Sequence, residues 1–243
     1  MKYSVPALGL VLTFASCVGT ETGNPAVPTT LTLALHSTNP SVVSVRGDQG
    51  LVVEDAWIHI AEISFTSAAV CRAEDDDREV ELPGPFFVEL GDVAANLRDL
   101  LLRRSAYCGI EVDLERSPRQ VPDVAPVELS RNTLVVRGRT AAGTPFVVVT
   151  QEEFELEIQS NDRPFSVDEL SSRLVLSFDV ARWFDGLDLD ALTPGEGGRV
   201  HVTLFENEPT LRAFEANVEA AMELARDSNA NGLLDDDDDV LLD

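Results

Sequence analysis

Oxygen-bearing side chains recur at fixed intervals near the C-terminus, from Asp227 to Asp238. Calcium takes roughly six to eight oxygen ligands, and one twelve-residue arrangement supplies them from positions 1, 3, 5, 7, 9 and 12, with glycine at position 6. Counted from Asp227, a suitable residue fills every one of these positions. The predicted ligands are Asp227, Asn229, Asn231, the backbone carbonyl of Leu233, Asp235 and Asp238, with Gly232 at the sixth position. The spacing therefore predicts one structural Ca²⁺ site.

This stretch resembles EF-hand loops, and more closely the loops of dockerin repeats and other extracellular calcium modules, which also accept Asn early and Asp at position 12. The resemblance implies weak binding, with a Kd of about 10⁻⁴–10⁻³ M. A single copy argues against the paired arrangement of dockerins. The alternative is a solvated acidic tail, since runs of five Asp are usually exposed. From Asp239 onward we expect such a tail.

A predicted helix leads into this loop. The segment PTLRAFEANVEAAMELARD, residues 209–227, begins with Pro209 near a first-turn position and contains no run of β-branched residues. Its apolar residues recur every three or four positions, which is the spacing of an amphipathic helix. They are Leu211, Phe214, Val218, Ala221 and Ala225.

Alternating apolar and polar residues dominate positions 29–206 and predict nine or ten short strands. In residues 57–65 we expect Trp57, His59, Ala61, Ile63 and Phe65 to share one face. Because turns rather than long helices separate the strands, we expect a mostly β chain. The predicted fold is an antiparallel β-sandwich of the immunoglobulin or transthyretin kind, with short helical inserts and a C-terminal α-helix.

Two short helical inserts are predicted within this body. Residues 96–104 carry Leu97, Leu100 and Leu101 at helical spacing. Ser166 is followed three residues later by Glu169, which is the spacing of a capping box.

The N-terminal residues 1–16 are expected to be a signal peptide. One basic residue precedes an apolar run from Val5 to Phe14, which is shorter than the about 20 apolar residues that span a bilayer. Phe14-Ala15-Ser16-Cys17 resembles a bacterial lipoprotein processing site, although Phe14 stands where Leu is usual. The resemblance implies cleavage before Cys17 and a lipid on its sulfur. The alternative is an ordinary secretory leader.

Residues 17–28 are rich in Gly, Pro and Thr, as expected of a flexible tether. No Asp follows Cys17 directly, and the resemblance to enterobacterial lipoprotein sorting implies the outer membrane. With Cys17 lipidated, the remaining pair is Cys71 and Cys108, and an exported protein with one such pair is expected to form one disulfide. A thiol-based metal or catalytic site would need a nearby His or further Cys, which the sequence lacks at such spacing.

Four segments together resemble uncharacterised secreted β-sandwich lipoprotein domains of the myxobacterial type. These are AWIHIAEISF (56–65), FFVELGD (86–92), SAYCGIEVDLE (105–115) and RLVLSFDVARWF (173–184). The resemblance covers about residues 30–206 and carries no catalytic residues.

The charge balance excludes one class of partner. Lys2 is the only lysine, and without the leader 17 Arg face 43 acidic residues, a net charge of 17 − 43 = −26. Such a surface repels phosphate backbones, so nucleic-acid binding is not expected. It suits divalent cations and cationic partners.

The predicted organisation is therefore a leader (1–16), a lipid-anchored tether (17–28), a β-sandwich (29–206) and a helix, calcium loop and tail (207–243). We expect a lipid-anchored envelope protein that acts as a binding or structural module without catalysis. Its partners would be the membrane, through Cys17, and an envelope protein or glycan.

Two alternatives stay open at this point. A carbohydrate-binding module would use exposed Trp57 and Trp183, and a hydrolase would place one of His36, His59 and His201 beside an acid. Catalytic motifs such as G-x-S-x-G and H-E-x-x-H are absent from the sequence.

Overall fold

The computed structural model describes residues 26–36, 50–67, 71, 79–90, 95–160, 164–168, 173–232, 234 and 237–242. These residues are mostly β, as the alternation predicts, with thirteen strands and one α-helix, α1 (Glu208–Val218). The strands are β1 (Ala26–His36), β2 (Val52–Ser67), β3 (Glu79–Leu90), β4 (Ala95–Arg103), β5 (Ser105–Leu114), β6 (Leu134–Arg139), β7 (Pro145–Thr150), β8 (Phe154–Gln159), β9 (Phe165–Val167), β10 (Arg173–Asp179), β11 (Val200–Val202), β12 (Met222–Arg226) and β13 (Asp239–Leu242).

The first sheet has the strand order β13-β12-β10-β1-β4. β1 pairs antiparallel with β4 but parallel with β10, and in the second sheet β11 pairs parallel with β7. The predicted purely antiparallel arrangement is therefore wrong, and both sheets are mixed. Parallel neighbours need a long crossover, and here most of the second sheet lies between β1 and β10 in sequence. The immunoglobulin- or transthyretin-like topology stays a prediction.

The second sheet is organised around the sixteen-residue strand β2. One edge of β2 pairs with β3, while along the other edge β5 pairs with residues 60–67 and β6 with residues 52–58. β5 and β6 thus lie end to end, joined by the 115–133 loop. Beyond them lie β8 and β9 beside β5, and β7 and β11 beside β6.

A β-bulge in β2 changes which side chains face the core. The register of β2 shifts between Ile60 and Glu62 against both β3 and β5. Ile58 and Ile60 are core residues before the bulge, and Ile63 and Phe65 are core residues after it. The expected shared face of Trp57, His59, Ala61, Ile63 and Phe65 is therefore wrong, because the extra residue, Ala61, inverts the alternation.

Gly84 lies opposite this bulge, where the two backbones approach closely. A Cβ at Gly84 would sit 2.5 Å from the Ile60 carbonyl oxygen and 2.7 Å from that of Ala61. No other residue type fits this position without moving backbone.

The two sheets bury one hydrophobic core between them, to which both contribute. Leu31, Leu174 and Leu176 come from the first sheet, and Ile110 and Val136 from the second. A smaller cluster lies on the other face of the second sheet. It consists of Trp57, Val135 and Val147 on the strands and Ala125 and Leu129 in the 115–133 loop.

The predicted helical insert over residues 96–104 is wrong. Residues 96–104 lie in β4 and its end, where Leu100 and Leu102 are buried while Leu101 is 63% exposed, which is strand alternation. Ser166 lies in the short strand β9, and Glu169 falls outside the described residues.

The C-terminal helix exists but ends at Val218 instead of continuing to residue 227. Residues 222–226 form β12, which pairs with β10 in the first sheet. Phe214 of α1 is fully buried against Trp183 and Phe184, with ring centroids 6.0 and 5.3 Å away.

Glu215, one residue further on, is also buried. It accepts a hydrogen bond from the Thr150 hydroxyl and lies 2.9 Å from the Arg212 guanidinium. The charge of Glu215 raises the pKa of Arg212 above its ordinary value. These contacts fix α1 against the end of β7.

The predicted disulfide is confirmed. Cys71 and Cys108 form a disulfide with a Cα–Cα distance of 5.3 Å. Ala141-Ala142-Gly143 connects β6 to β7 as an antiparallel hairpin, and Gly143 adopts φ 84°.

β1 begins at Ala26, inside the segment expected to be a tether, and residues 1–25 lie outside the described part. In the part of the chain that the structure describes, no helix has the length and hydrophobicity to cross a membrane.

Candidate metal centre

The predicted calcium loop joins two strands of the first sheet. β12 ends at Arg226, β13 begins at Asp239, and the two strands pair antiparallel. The loop therefore closes a hairpin, and the expectation that a helix runs directly into it is wrong. Any likeness to an EF-hand is confined to the loop itself, because the flanking elements are strands.

Asp227, at the first loop position, is 8% exposed. Its N–H donates to the Arg173 carbonyl at 3.2 Å, which holds it to the start of β10. Its two carboxylate oxygens accept hydrogen bonds from the N–H groups of Asn231 (3.2 Å) and Gly232 (3.1 Å). Asp227 is thus a fixed carboxylate around which the first half of the loop turns.

The first half of the loop is a tight turn with two residues at positive φ. Ala230 adopts φ 64° and Gly232 adopts φ 73°. Between them, the Asn231 N–H also donates to the Asn229 side-chain oxygen at 3.0 Å. Glycine at the sixth position fits the prediction, because a left-handed backbone is unstrained for glycine. Sequence reasoning did not anticipate the left-handed Ala230.

Asp238, at the twelfth position, returns to the beginning of the loop. One of its carboxylate oxygens accepts a hydrogen bond from the Ser228 N–H at 2.8 Å. Because Ser228 follows Asp227 directly, this bond brings the first and last predicted ligands to the same end of the loop. Leu233 and Asp235 lie outside the described residues, so four of the six predicted ligands can be placed.

The predicted metal-ligand atoms are all oxygens, from carboxylates, side-chain amides and one backbone carbonyl. Hard cations such as Ca²⁺ take ligands of this kind, whereas zinc and copper favour nitrogen and sulfur. Within the described ranges, no group of three or more His, Cys, Asp or Glu side chains is arranged to hold a metal ion. Asn229 and Asn231 are not of those residue types.

The base of the hairpin contains residues that the sequence did not suggest. The Arg226 guanidinium lies 3.6 Å from the Asp239 carboxylate and 3.3 Å from the Ser166 carbonyl oxygen. Asp239 was expected to begin a solvated tail, and that expectation is wrong because residues 239–242 form β13. The apolar run Val240-Leu241-Leu242 is the signal that could have shown it, and Leu242 is buried.

The tryptophans do not form an exposed aromatic platform. Trp57 is 6% exposed beneath the 115–133 loop, and Trp183 is fully buried beside α1. A sugar can stack only on an accessible ring. The carbohydrate-binding alternative therefore loses the two residues on which it was based.

The histidines lie on separate strands. His59 is on β2 and His201 is on β11, with β6 and β7 between them, so the two strands lie about 14 Å apart at the usual interstrand spacing and the two residues lie farther apart than that. His36 is on β1 in the other sheet, and its side chain falls outside the description. The fold thus does not bring the three into one cluster.

His59 is buried, and its side chain has one hydrogen-bond partner. Its Nδ1 lies 2.8 Å from the Glu115 carbonyl oxygen, and since a carbonyl only accepts, Nδ1 carries the proton. Its ring lies 4.9 Å from that of Phe87, and its buried Nε2 has no hydrogen-bond partner. The contact with Glu115 is through the main chain, not the carboxylate, so it does not form the acid–histidine pair that a hydrolase would need.

Of the two cysteine predictions, the disulfide and the lipidation, the described residues test only the disulfide. Cys71 and Cys108 are joined to each other, which leaves neither as a free thiolate for metal or catalysis. Cys17 lies outside the described residues, so its predicted lipidation stays a prediction.

Comparison with known proteins yields no relative: no family model, no curated protein and no solved structure matches the chain. The fold and the loop therefore define a class only in structural terms, as a mostly β protein of two mixed sheets with an acidic twelve-residue hairpin loop. The resemblance to secreted lipoprotein domains stays a prediction from the sequence.

Proposed function

We propose that this chain is an exported, lipid-anchored protein of the bacterial outer membrane that acts as a binding or structural module, with one Ca²⁺ in the 227–238 loop. The observation that carries the calcium proposal is the arrangement of Asp227 and Asp238. Asp227 is held by main-chain N–H groups of its own loop, and Asp238 closes onto the Ser228 N–H beside it.

A cation at this loop would have a clear physical effect. Five consecutive Asp residues, 235–239, immediately precede or begin β13. Their mutual repulsion opposes the pairing of β13 with β12, and a bound divalent cation reduces that repulsion. Calcium would therefore stabilise the edge of the first sheet, a structural role and not a catalytic one.

We expect calcium to raise the thermal stability of the fragment from residue 18 onward, which retains every described residue. At ~10 mM calcium and the weak affinity typical of extracellular sites, linkage predicts about 1–3 kcal/mol of stabilisation. Asp227→Ala should abolish the calcium-dependent shift, because among the predicted ligands that the structure describes it removes the one that is buried. Differential scanning calorimetry with calcium, with magnesium and with a chelator measures it.

The control for this experiment is Asp123→Ala, which removes the same charge from an exposed position outside the hairpin. It should keep the full calcium-dependent shift. Equal shifts in Asp227→Ala and Asp123→Ala would show that calcium acts on the general acidic surface, and the loop proposal would be abandoned.

The anchoring proposal rests on Phe14-Ala15-Ser16-Cys17 and the polar segment after it. Expressed as the full chain in a Gram-negative host with labelled palmitate, the protein should carry label and sediment with the outer membrane. Cys17→Ser should lose the label and leave the membrane fraction, while Ser16→Ala, which keeps a small residue before the cysteine, should retain both. A native chain without label would contradict the proposal.

A further inference from the structure

Asn231 is the only asparagine in the chain that is followed by glycine. It is exposed, and Gly232 offers no side chain to shield the peptide bond between them. We propose that Asn231 is a site of spontaneous deamidation and that the Asp227 carboxylate controls its rate.

The chemistry requires only the protein and water. The Gly232 backbone nitrogen loses its proton and attacks the side-chain Cγ of Asn231. The bond from Cγ to the amide nitrogen breaks, ammonia leaves, and a five-membered succinimide remains. Water then opens the ring at either carbonyl, which gives aspartate or isoaspartate at position 231. Glycine favours the attack because it has no Cβ to hinder the approach.

When the loop has the conformation seen in the structure, Asp227 holds the two peptide N–H groups that flank the site of ring closure. Its two carboxylate oxygens accept hydrogen bonds from the Asn231 N–H at 3.2 Å and from the Gly232 N–H at 3.1 Å. Ring closure requires rotation of the backbone between these two nitrogens and removal of the Gly232 proton. Both hydrogen bonds fix that rotation, so the reaction proceeds from an opened loop.

Asp227 itself is well placed to hold the loop closed. It is nearly buried, and its own N–H is bonded to the Arg173 carbonyl at the start of β10. The main chain of Asp227 is therefore anchored to the first sheet, while its carboxylate restrains the loop. Two hydrogen bonds to a charged acceptor correspond to a slowing of roughly tenfold or more relative to the open chain.

The two products would affect the loop differently. Aspartate adds a carboxylate at the fifth position, whereas isoaspartate adds a methylene to the main chain and moves Gly232 and all later residues out of register. The effect on calcium affinity rests on the proposed function. The deamidation itself does not, and it is tested with a chelator present.

The test uses the full chain at mildly alkaline pH with a chelator, folded and in urea. Trypsin cleavage after Arg226 releases residues 227–243, which contain both Asn229 and Asn231. Mass spectrometry then locates the mass gained when an amide becomes a carboxylate. We expect the gain at Asn231 and not at Asn229, about tenfold or more slower in folded protein than in urea.

Variants separate the role of Asp227 from folding in general. Folded Asp227→Ala should deamidate at Asn231 at a rate close to that in urea, and Asp227→Asn, which keeps one oxygen acceptor, should be intermediate. Asp237→Ala, elsewhere in the same loop, should match the native rate. Equal gain at Asn229 and Asn231, equal rates in folded and unfolded native protein, or native rates in both Asp227 variants would each overturn the proposal. Circular dichroism confirms that each variant is folded.

Discussion

Replacing Phe214 by alanine is expected to lower the free energy of unfolding by about 3–5 kcal/mol. Phe214 is fully buried and forms edge contacts with Trp183 and Phe184. The ring of Phe184 in turn contacts that of Phe146 on β7, with centroids 5.5 Å apart. The substitution leaves a cavity in this aromatic cluster that the rigid sheet cannot fill. It also removes one of the three apolar side chains, with Leu211 and Val218, through which α1 contacts the core.

Chemical denaturation of the fragment from residue 18 measures this effect, with Phe205→Ala as the matched control. Phe205 is the same residue type but 90% exposed in the turn before α1. Its replacement should change stability by less than about 0.5 kcal/mol. Similar losses for the two variants would mean that α1 is not seated in the core as described.

Breaking the Cys71–Cys108 disulfide is expected to lower the free energy of unfolding by about 3–4 kcal/mol. The intact bond closes a long loop and so restricts the unfolded chain. The two cysteines are 37 residues apart in sequence, and β3 and β4 lie between them. The bond therefore limits the freedom of both strands before the sheets form. In the fragment from residue 18, these are the only cysteines.

The same denaturation experiment, with and without a reductant, tests the disulfide. Reduction should lower the midpoint, and the double variant Cys71→Ser/Cys108→Ser should match the reduced protein and be insensitive to reductant. Two titratable thiols in the untreated fragment, or an unchanged midpoint on reduction, would contradict the assignment.

The strands that the sequence predicts well are those whose alternation faces one core. In β5, Val112 and Leu114 are buried and alternate with the partly exposed Glu111 and Asp113. The disulfide could be predicted because the sequence contains only two cysteines besides Cys17, for which a lipid is predicted.

The sequence predicts the wrong element where the apolar residues fit both a helix and a strand. It also does so where pairing with a distant strand determines the secondary structure. In β4, Leu97, Leu100 and Leu101 match a helix, yet the burial of Leu100 and Leu102 is that of a strand. In β12, Met222, Glu223, Leu224 and Ala225 are all good helix formers. Their pairing with β10, in which Leu224 lies opposite Leu176, overrides that local preference.

Other features depend on contacts between distant parts of the chain. The parallel pairing of β1 with β10 joins segments more than a hundred residues apart, and no local pattern indicates it. The bulge that turns Trp57 and His59 away from the main core is likewise set by how β3 and β5 pair with β2. In the candidate site, glycine at the sixth loop position could be predicted from residue types, whereas the position of the loop between two strands could not.

Isothermal titration of calcium into the fragment from residue 18 tests the central claim most directly. The proposed site predicts saturable binding of one calcium ion, with the Kd of about 10⁻⁴–10⁻³ M typical of extracellular calcium modules. The binding should be lost in Asp227→Ala and retained in Asp123→Ala. No binding heat with calcium, or the same heat in Asp227→Ala as in the native fragment, would contradict the claim that the 227–238 hairpin loop is a calcium site.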